Sequence, residues 1–222
     1  MVSTDILVKI AMWVEDATTF FSLLDAFGTP EMRGPLEPLW QLGQTILFRE
    51  DYLWPQLVLS PGILVDTAPR GFVEPVLKYY SRVKVNYCED ILWLRRWLQP
   101  TTTVRARSLP PSGPVACRGT LLSVDAWLTE WVHLGLTKIT LHDRPISPSL
   151  APQFFAILPR CQHLTRLELG GVLDLNVVFH IAASSTTLCH LNLLAGQSVS
   201  VTAATVRLAI QWPKTTVLIC KV

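Results

Sequence analysis

Leu164-Thr165-Arg166-Leu167-Glu168-Leu169 is the stretch whose reading decides the fold. It runs apolar, two unspecified residues, apolar, one unspecified residue, apolar. The same form returns in Leu136-Thr137-Lys138-Ile139-Thr140-Leu141 and in Leu188-Cys189-His190-Leu191-Asn192-Leu193. Weaker copies pass through Trp54, Leu57 and Leu59, and through Tyr80, Val83 and Val85. Poorer ones pass through Thr101, Val104 and Ala106, and through Lys214, Val217 and Ile219. The copies start at 54, 80, 101, 136, 164, 188 and 214, so the intervals are 26, 21, 35, 28, 24 and 26.

All intervals but the 35 lie in or near the range of about 20–29 residues that leucine-rich repeats use. Between the copies lie turn residues and helical stretches at 88–98, 121–134, 154–158, 172–183 and 201–212. A strand-turn-helix unit has one apolar face on each element and buries neither alone, so units must stack. The expectation is an α/β leucine-rich-repeat solenoid, with short parallel strands alternating with helices. The long interval contains Ser108-Leu-Pro-Pro-Ser-Gly-Pro114, which reads as a proline-rich surface loop near 108–119.

Composition suits a packed chain. Half of the 222 residues are apolar and only 16% are charged, against about 25% in ordinary soluble domains. That excludes disorder. A net charge of +2 supports no bulk argument for nucleic acid or membrane, so neither is expected as a partner. Five cysteines, an odd number, without a Cys-x-x-Cys pair, read as reduced thiols. No apolar run reaches about 18 residues, and the start, Met1-Val-Ser-Thr-Asp5, lacks a basic region. Cytoplasm or nucleus is the expected location. The final copy stops at Val222 without a polar cap, which predicts an open sheet edge.

Residues 1–52 carry no repeat and read as a small helical head before an array over 53–222. Ile6, Ile10 and Val14 lie on one helical face. Asp16 is placed to cap a second helix that buries Phe20, Phe21, Leu23, Leu24 and Phe27 and ends at Gly28. Leu36, Leu39, Trp40, Ile46 and Leu47 fit a third.

Asp5-Ile-Leu-Val-Lys-Ile10, Asp16-Ala17, Phe20, Leu23 and the pair Leu53-Trp54 just ahead of the repeats together resemble a divergent F-box followed by leucine-rich repeats. Val2-Ser3 stands where that family usually has Leu-Pro, and Leu24-Asp-Ala-Phe27 replaces its Val-Cys-x-x-Trp tract. The resemblance implies a substrate-recognition adaptor of a cullin-type ubiquitin ligase. A Skp-family adaptor would dock on Ile6, Leu7, Ile10, Ala17, Phe20 and Leu23, and the repeats would hold a protein substrate. The same six residues also read simply as core, and the alternative is a leucine-rich-repeat binding scaffold without a ligase role.

Alternation sends the third and fifth residues of each copy outward. That face gathers Arg82, Lys84, Arg105, Lys138 and Arg166, with Arg107 one step beyond and His190 further along, against one carboxylate, Glu168. These residues are the candidate substrate-binding set, suited to an acidic or phosphorylated segment. A solvated strand face explains them equally well. No nucleotide loop, nucleophile elbow or paired-cysteine zinc pattern occurs. Cys161 and His163 with Cys189 and His190 make a poor metal set, because Cys189 and His190 point to opposite sides of their strand. The expectation is a binding protein, not an enzyme, without metal or cofactor.

Overall fold

A computed structural model describes residues 4–45, 49–61, 67–86, 88–110, 113–117, 119–141, 146–171, 175–194 and 219–221. The chain is α/β, its strands mostly parallel. It forms two compact units: Met1–Cys88 with Trp97–Thr102, and Glu89–Arg96 with Thr103–Val222. Among the described residues no helix is long and apolar enough to cross a membrane.

The first unit opens with α1 (Thr4–Ala11) and α2 (Ala17–Ala26). Asp16 caps α2 as its position predicts. Its carboxylate accepts from the Thr19 backbone N–H at 2.7 Å and the Thr19 hydroxyl at 2.8 Å. The first of these bonds, then the second, holds the carboxyl below its ordinary range. Gly28, at φ 75°, takes the left-handed turn after the helix. Thr29 then starts α3 (Pro30–Arg33), and a 3-10 turn (Gly34–Leu36) leads into α4 (Glu37–Gly43). The expected third helix, with Leu36, Leu39 and Trp40, corresponds to this 3-10 turn and α4. Ile46 and Leu47 lie outside the described residues.

A buried cation fastens these helices. Arg33 bonds Glu37 at 2.5 Å, and its guanidinium lies 3.8 Å over the Trp40 ring. The Trp40 indole donates to Asp25 of α2. Gly43 permits the closest approach: a Cβ there would stand 2.5 Å from the Phe21 ring.

α5 (Glu50–Leu53) leads into β1 (Leu57–Leu59). Then come α6 (Thr67–Val73), a 3-10 turn (Leu77–Tyr79) and β2 (Arg82–Val85), which pairs parallel with β1. The first unit takes in both the amino-terminal helices and these two strands. The Phe20 and Trp54 rings stack at 4.1 Å and 10°. The Trp54 indole donates to the Val14 carbonyl, and the buried Tyr80 hydroxyl donates to the Leu53 carbonyl. These contacts tie the first two strands to the helices, so the helices and β1 and β2 share one core.

The second unit comprises α7 (Ile91–Trp97), β3 (Thr103–Ala106), β4 (Val115–Cys117), β5 (Thr120–Leu122), α8 (Val124–Val132), β6 (Leu136–Leu141) and α9 (Ala151–Ile157). A 3-10 turn (Leu158–Arg160), β7 (Arg166–Gly170), α10 (Leu175–Ser184), β8 (His190–Leu194) and β9 (Ile219–Lys221) complete it. Strands β3, β6, β7, β8 and β9 are parallel in that order. Leu136, Ile139 and Leu141 pack inside, as do Leu164, Leu167, Leu169, Leu188, Leu191 and Leu193. Behind them Trp127, Trp131, Phe154 and Phe155 form a chain of rings with centroids 5.3 to 6.2 Å apart.

Part of the expected proline-rich loop is structured. β4 and β5 form an antiparallel hairpin, with Gly119 at φ 81° in its turn. Val115 and Cys117 are buried while Ala116 is exposed, the alternation of a half-buried strand. Leu121 therefore belongs to β5, and Ser123 caps the helix that follows.

Two repeat copies sit differently from their sequence alignment. Ala106 stands opposite Ile139, where the copies would align it with Leu141, and the register is irregular between Val104 and Arg105. A two-residue shift leaves every side chain on its face. In β9, Cys220 stands opposite the inward Leu193, and Ile219 stands opposite the outward Asn192. The copy through Ile219 is thus one residue out of step. Its earlier members, Lys214 and Val217, lie outside the described residues, as does the expected helix at 201–212.

The second repeat position is not free. The Thr102 hydroxyl donates to the Tyr80 carbonyl at 2.9 Å. Thr137 bonds the Val104 carbonyl at 3.4 Å, and Thr165 bonds the Thr137 carbonyl at 3.1 Å. In these three copies the threonine at the second position ties the copy to a carbonyl of the copy before it.

Candidate functional site

Two surfaces are candidates, one in each unit. The first is a face of α1. Ile6 is 50% exposed, Ile10 51% and Trp13, just past the helix, 86%. Spacings of four and three residues put these three on one side of the segment. The same unit also exposes Met32, Tyr52 and Phe72, at 38 to 46%, but Trp13 is the most exposed of the large apolar residues described. Ala17 and Leu23 are half-buried. Phe20 does not belong with them: it is fully buried against Trp54. Its place in a docking set is corrected to a core position, because α2 turns that face toward the Leu53-Trp54 segment. Leu7 lies in α1, and its side chain is outside the described residues. Trp13 was missed because it follows the last periodic turn, and a lone aromatic beyond a helix end carries no pattern.

The second surface is a row across four strands. Arg105 pairs in register with Lys138, Lys138 with Arg166, and Arg166 with His190. Neighbouring strands lie about 4.8 Å apart, so the row brings together residues far apart in the chain. Arg105 and Arg166 are exposed; Lys138 and His190 are half-buried. Beside this row runs a second, in which Thr140 stands opposite Glu168 and Glu168 opposite Asn192.

Glu168 joins the rows. Its carboxylate lies 2.7 Å from the Lys138 ammonium and accepts from the Thr140 hydroxyl at 3.0 Å. Burial pushes its carboxyl up. The hydrogen bond and charge of Lys138, the Thr140 hydroxyl and the charge of Arg166 outweigh that and hold it below the ordinary range. The face is therefore not evenly basic: its central cation, Lys138, is paired with Glu168, which also feels the charge of Arg166, while both arginines are exposed. Of the other expected members, Arg82 and Lys84 belong to β2 of the first unit, where Lys84 stands opposite Val58. Arg107 follows the end of β3, and neither the pairings nor the ladder places it in the row.

Other chemistry is sparse. Among the described residues no group of three or more His, Cys, Asp or Glu side chains could hold a metal ion. Cys161 is buried, its thiol pushed up to about 12 by that burial, and His163 is exposed. On the helical side of the second unit a half-open cavity of about 600 Å³ lies between α9 and α10. Pro152, Phe155, Pro159, Val177 and Ile181 line it, with His180 and Ser184 as its polar members.

Comparison of the chain with protein-family models, with curated proteins and with solved structures found no match.

Proposed function

We propose that this chain is a non-catalytic substrate-recognition adaptor resembling the F-box subunits of cullin-type ubiquitin ligases. Its helical head takes a Skp-family adaptor, and its parallel strands form a leucine-rich-repeat array whose outward face holds a protein substrate. The observation that carries the reading is the apolar face Ile6–Ile10–Trp13, left in solvent by a unit that packs Phe20, Leu24 and Trp54 inside. A partner covering that face would gain roughly 25 cal/mol for each Å² of apolar surface removed from water.

The second reading, a repeat scaffold whose head is only a cap, draws on a different observation. The head shares its core with β1 and β2 through Phe20, Trp54 and Tyr80, as a cap does. Coexpression with a Skp-family adaptor, followed by pull-down, separates the two. Capture by the full chain, lost in the double variant Ile6→Glu, Ile10→Glu with its circular dichroism unchanged, supports the adaptor. Absence of capture by the unaltered chain leaves the scaffold.

A further inference from the structure

We infer that the row Arg105–Lys138–Arg166–His190 takes an acidic protein segment in the polyproline II conformation, its two anchoring carboxylates three residues apart. The inference rests on the reading of the strand face as the substrate surface, and it names what that surface selects.

Three features lead to it. First, the charges of the row are not equivalent. Lys138 is already held by Glu168 at 2.7 Å, and the same carboxylate takes the Thr140 hydroxyl. A second carboxylate over Lys138 would meet the field of Glu168. Arg105 and Arg166, on either side, are exposed and rise from neighbouring strands. The row therefore presents two anion sites separated by a compensated centre. Arginine suits both, because its planar fork donates two parallel bonds to one carboxylate.

Second, the sheet sets the spacing of the two backbones from which the arginines rise. Arg105 and Arg166 are each in register with Lys138, so they stand two strand spacings apart, about 9.6 Å at the backbone. A polyproline II chain rises about 3.1 Å per residue with three residues per turn, so same-face residues three apart are separated by about 9.3 Å. An extended β-strand presents same-face residues at about 6.8 Å and then about 13.6 Å, which straddles the requirement. An α-helix offers about 6 Å at four residues and about 10.5 Å at seven, the latter with intervening side chains of the same face pressed over Lys138.

Third, a polyproline II chain has no internal hydrogen bonds and is partly ordered before binding. It therefore loses less entropy on docking than a flexible segment does. The cross-strand row asks for a ligand running across the strands rather than along them, and His190 extends it by one strand beyond Arg166.

The test uses the full chain and fluorescein-labelled proline-rich peptides of equal length and charge, each bearing two glutamates. The glutamates stand two, three, four or seven residues apart, and affinity is read by fluorescence polarisation. The expected result is tightest binding at a separation of three, by roughly tenfold over two and four. Arg105→Ala and Arg166→Ala should each cost a comparable factor, as expected for loss of a charge-assisted pair. Both side chains are exposed, so neither change disturbs the core. Equal affinity at all separations, or best binding at seven, overturns the inference. So does binding indifferent to Arg166→Ala. The adaptor pull-down reads a different surface. Capture of the adaptor without spacing preference removes this inference alone, and spacing preference without capture removes the ligase reading alone.

Discussion

Replacing Phe20 and Ile10 by alanine in separate variants should give opposite results in two assays. Both belong to the set that family resemblance marks for docking, but their surroundings differ. Phe20 is 0% exposed, stacked on Trp54 at 4.1 Å and edge-on to Phe21 at 5.4 Å. Removing a ring from such a site costs about 3–5 kcal/mol, through lost transfer energy and the cavity left behind. That is a large share of the roughly 5–15 kcal/mol that holds a domain. Ile10 is 51% exposed. Full burial of such a side chain is worth about 1.5–3 kcal/mol, so half of it, less the methyl that alanine keeps, is below about 1 kcal/mol. In urea, with a slope of about 2–3 kcal/mol per molar, Phe20→Ala should lower the midpoint by about 1–2 M and Ile10→Ala by less than about 0.5 M. Circular dichroism follows the transition, and an unchanged slope shows that the same transition is being compared. In the adaptor pull-down the order should invert: Ile10→Ala weakens capture although the fold is intact. A Phe20→Ala cost below about 1 kcal/mol, or equal costs for the two variants, would refute the division of the head into core and docking face.

Three further outcomes are expected. Tyr80→Phe keeps the ring beside Trp54 but strips the Leu53 carbonyl of its donor, so urea titration should show a loss of about 1–3 kcal/mol. The Glu168 carboxyl is held below its ordinary range, so its contribution to stability is complete above that range and is lost as pH falls through the lowered value. The stability gap between the unaltered chain and Glu168→Gln should accordingly be constant near neutrality and shrink in acid; a gap that widens in acid would contradict the Lys138–Glu168 pairing. Cys161, with its thiol pushed up to about 12 and buried, should resist iodoacetamide at about pH 8 until urea unfolds the chain, as read by peptide mass spectrometry.

Much of the architecture is legible in the chain because it is written in local periods. A strand must alternate, so Leu167 and Leu169, or Val83 and Val85, announce an inward face whatever lies beside them. Caps are equally local: Asp16, Thr29 and Ser123 each bond a backbone N–H three residues on, within reach of sequence inspection. The hairpin at 115–122 is harder to read, since two three-residue strands amid prolines hold too few alternations to stand out. The threonine at the second repeat position is visible as a letter, but its meaning is not, because its acceptor belongs to the preceding copy.

By itself, the sequence determines where β1, β2, β3, β6, β7 and β8 fall, which of their residues face inward, and that a helical segment precedes them. Each of these follows from side-chain spacing along a few consecutive residues. Only the tertiary structure decides that Arg105, Lys138, Arg166 and His190 form one row, that Glu168 matches the middle of it, and that Cys220 rather than Ile219 stands opposite Leu193. It alone separates buried Phe20 from exposed Ile10, two residues with the same sequence credentials. The physical reason is range. Periodicity is set by neighbours in the chain, whereas register, ion pairing and exposure are set by whichever distant segment packs alongside.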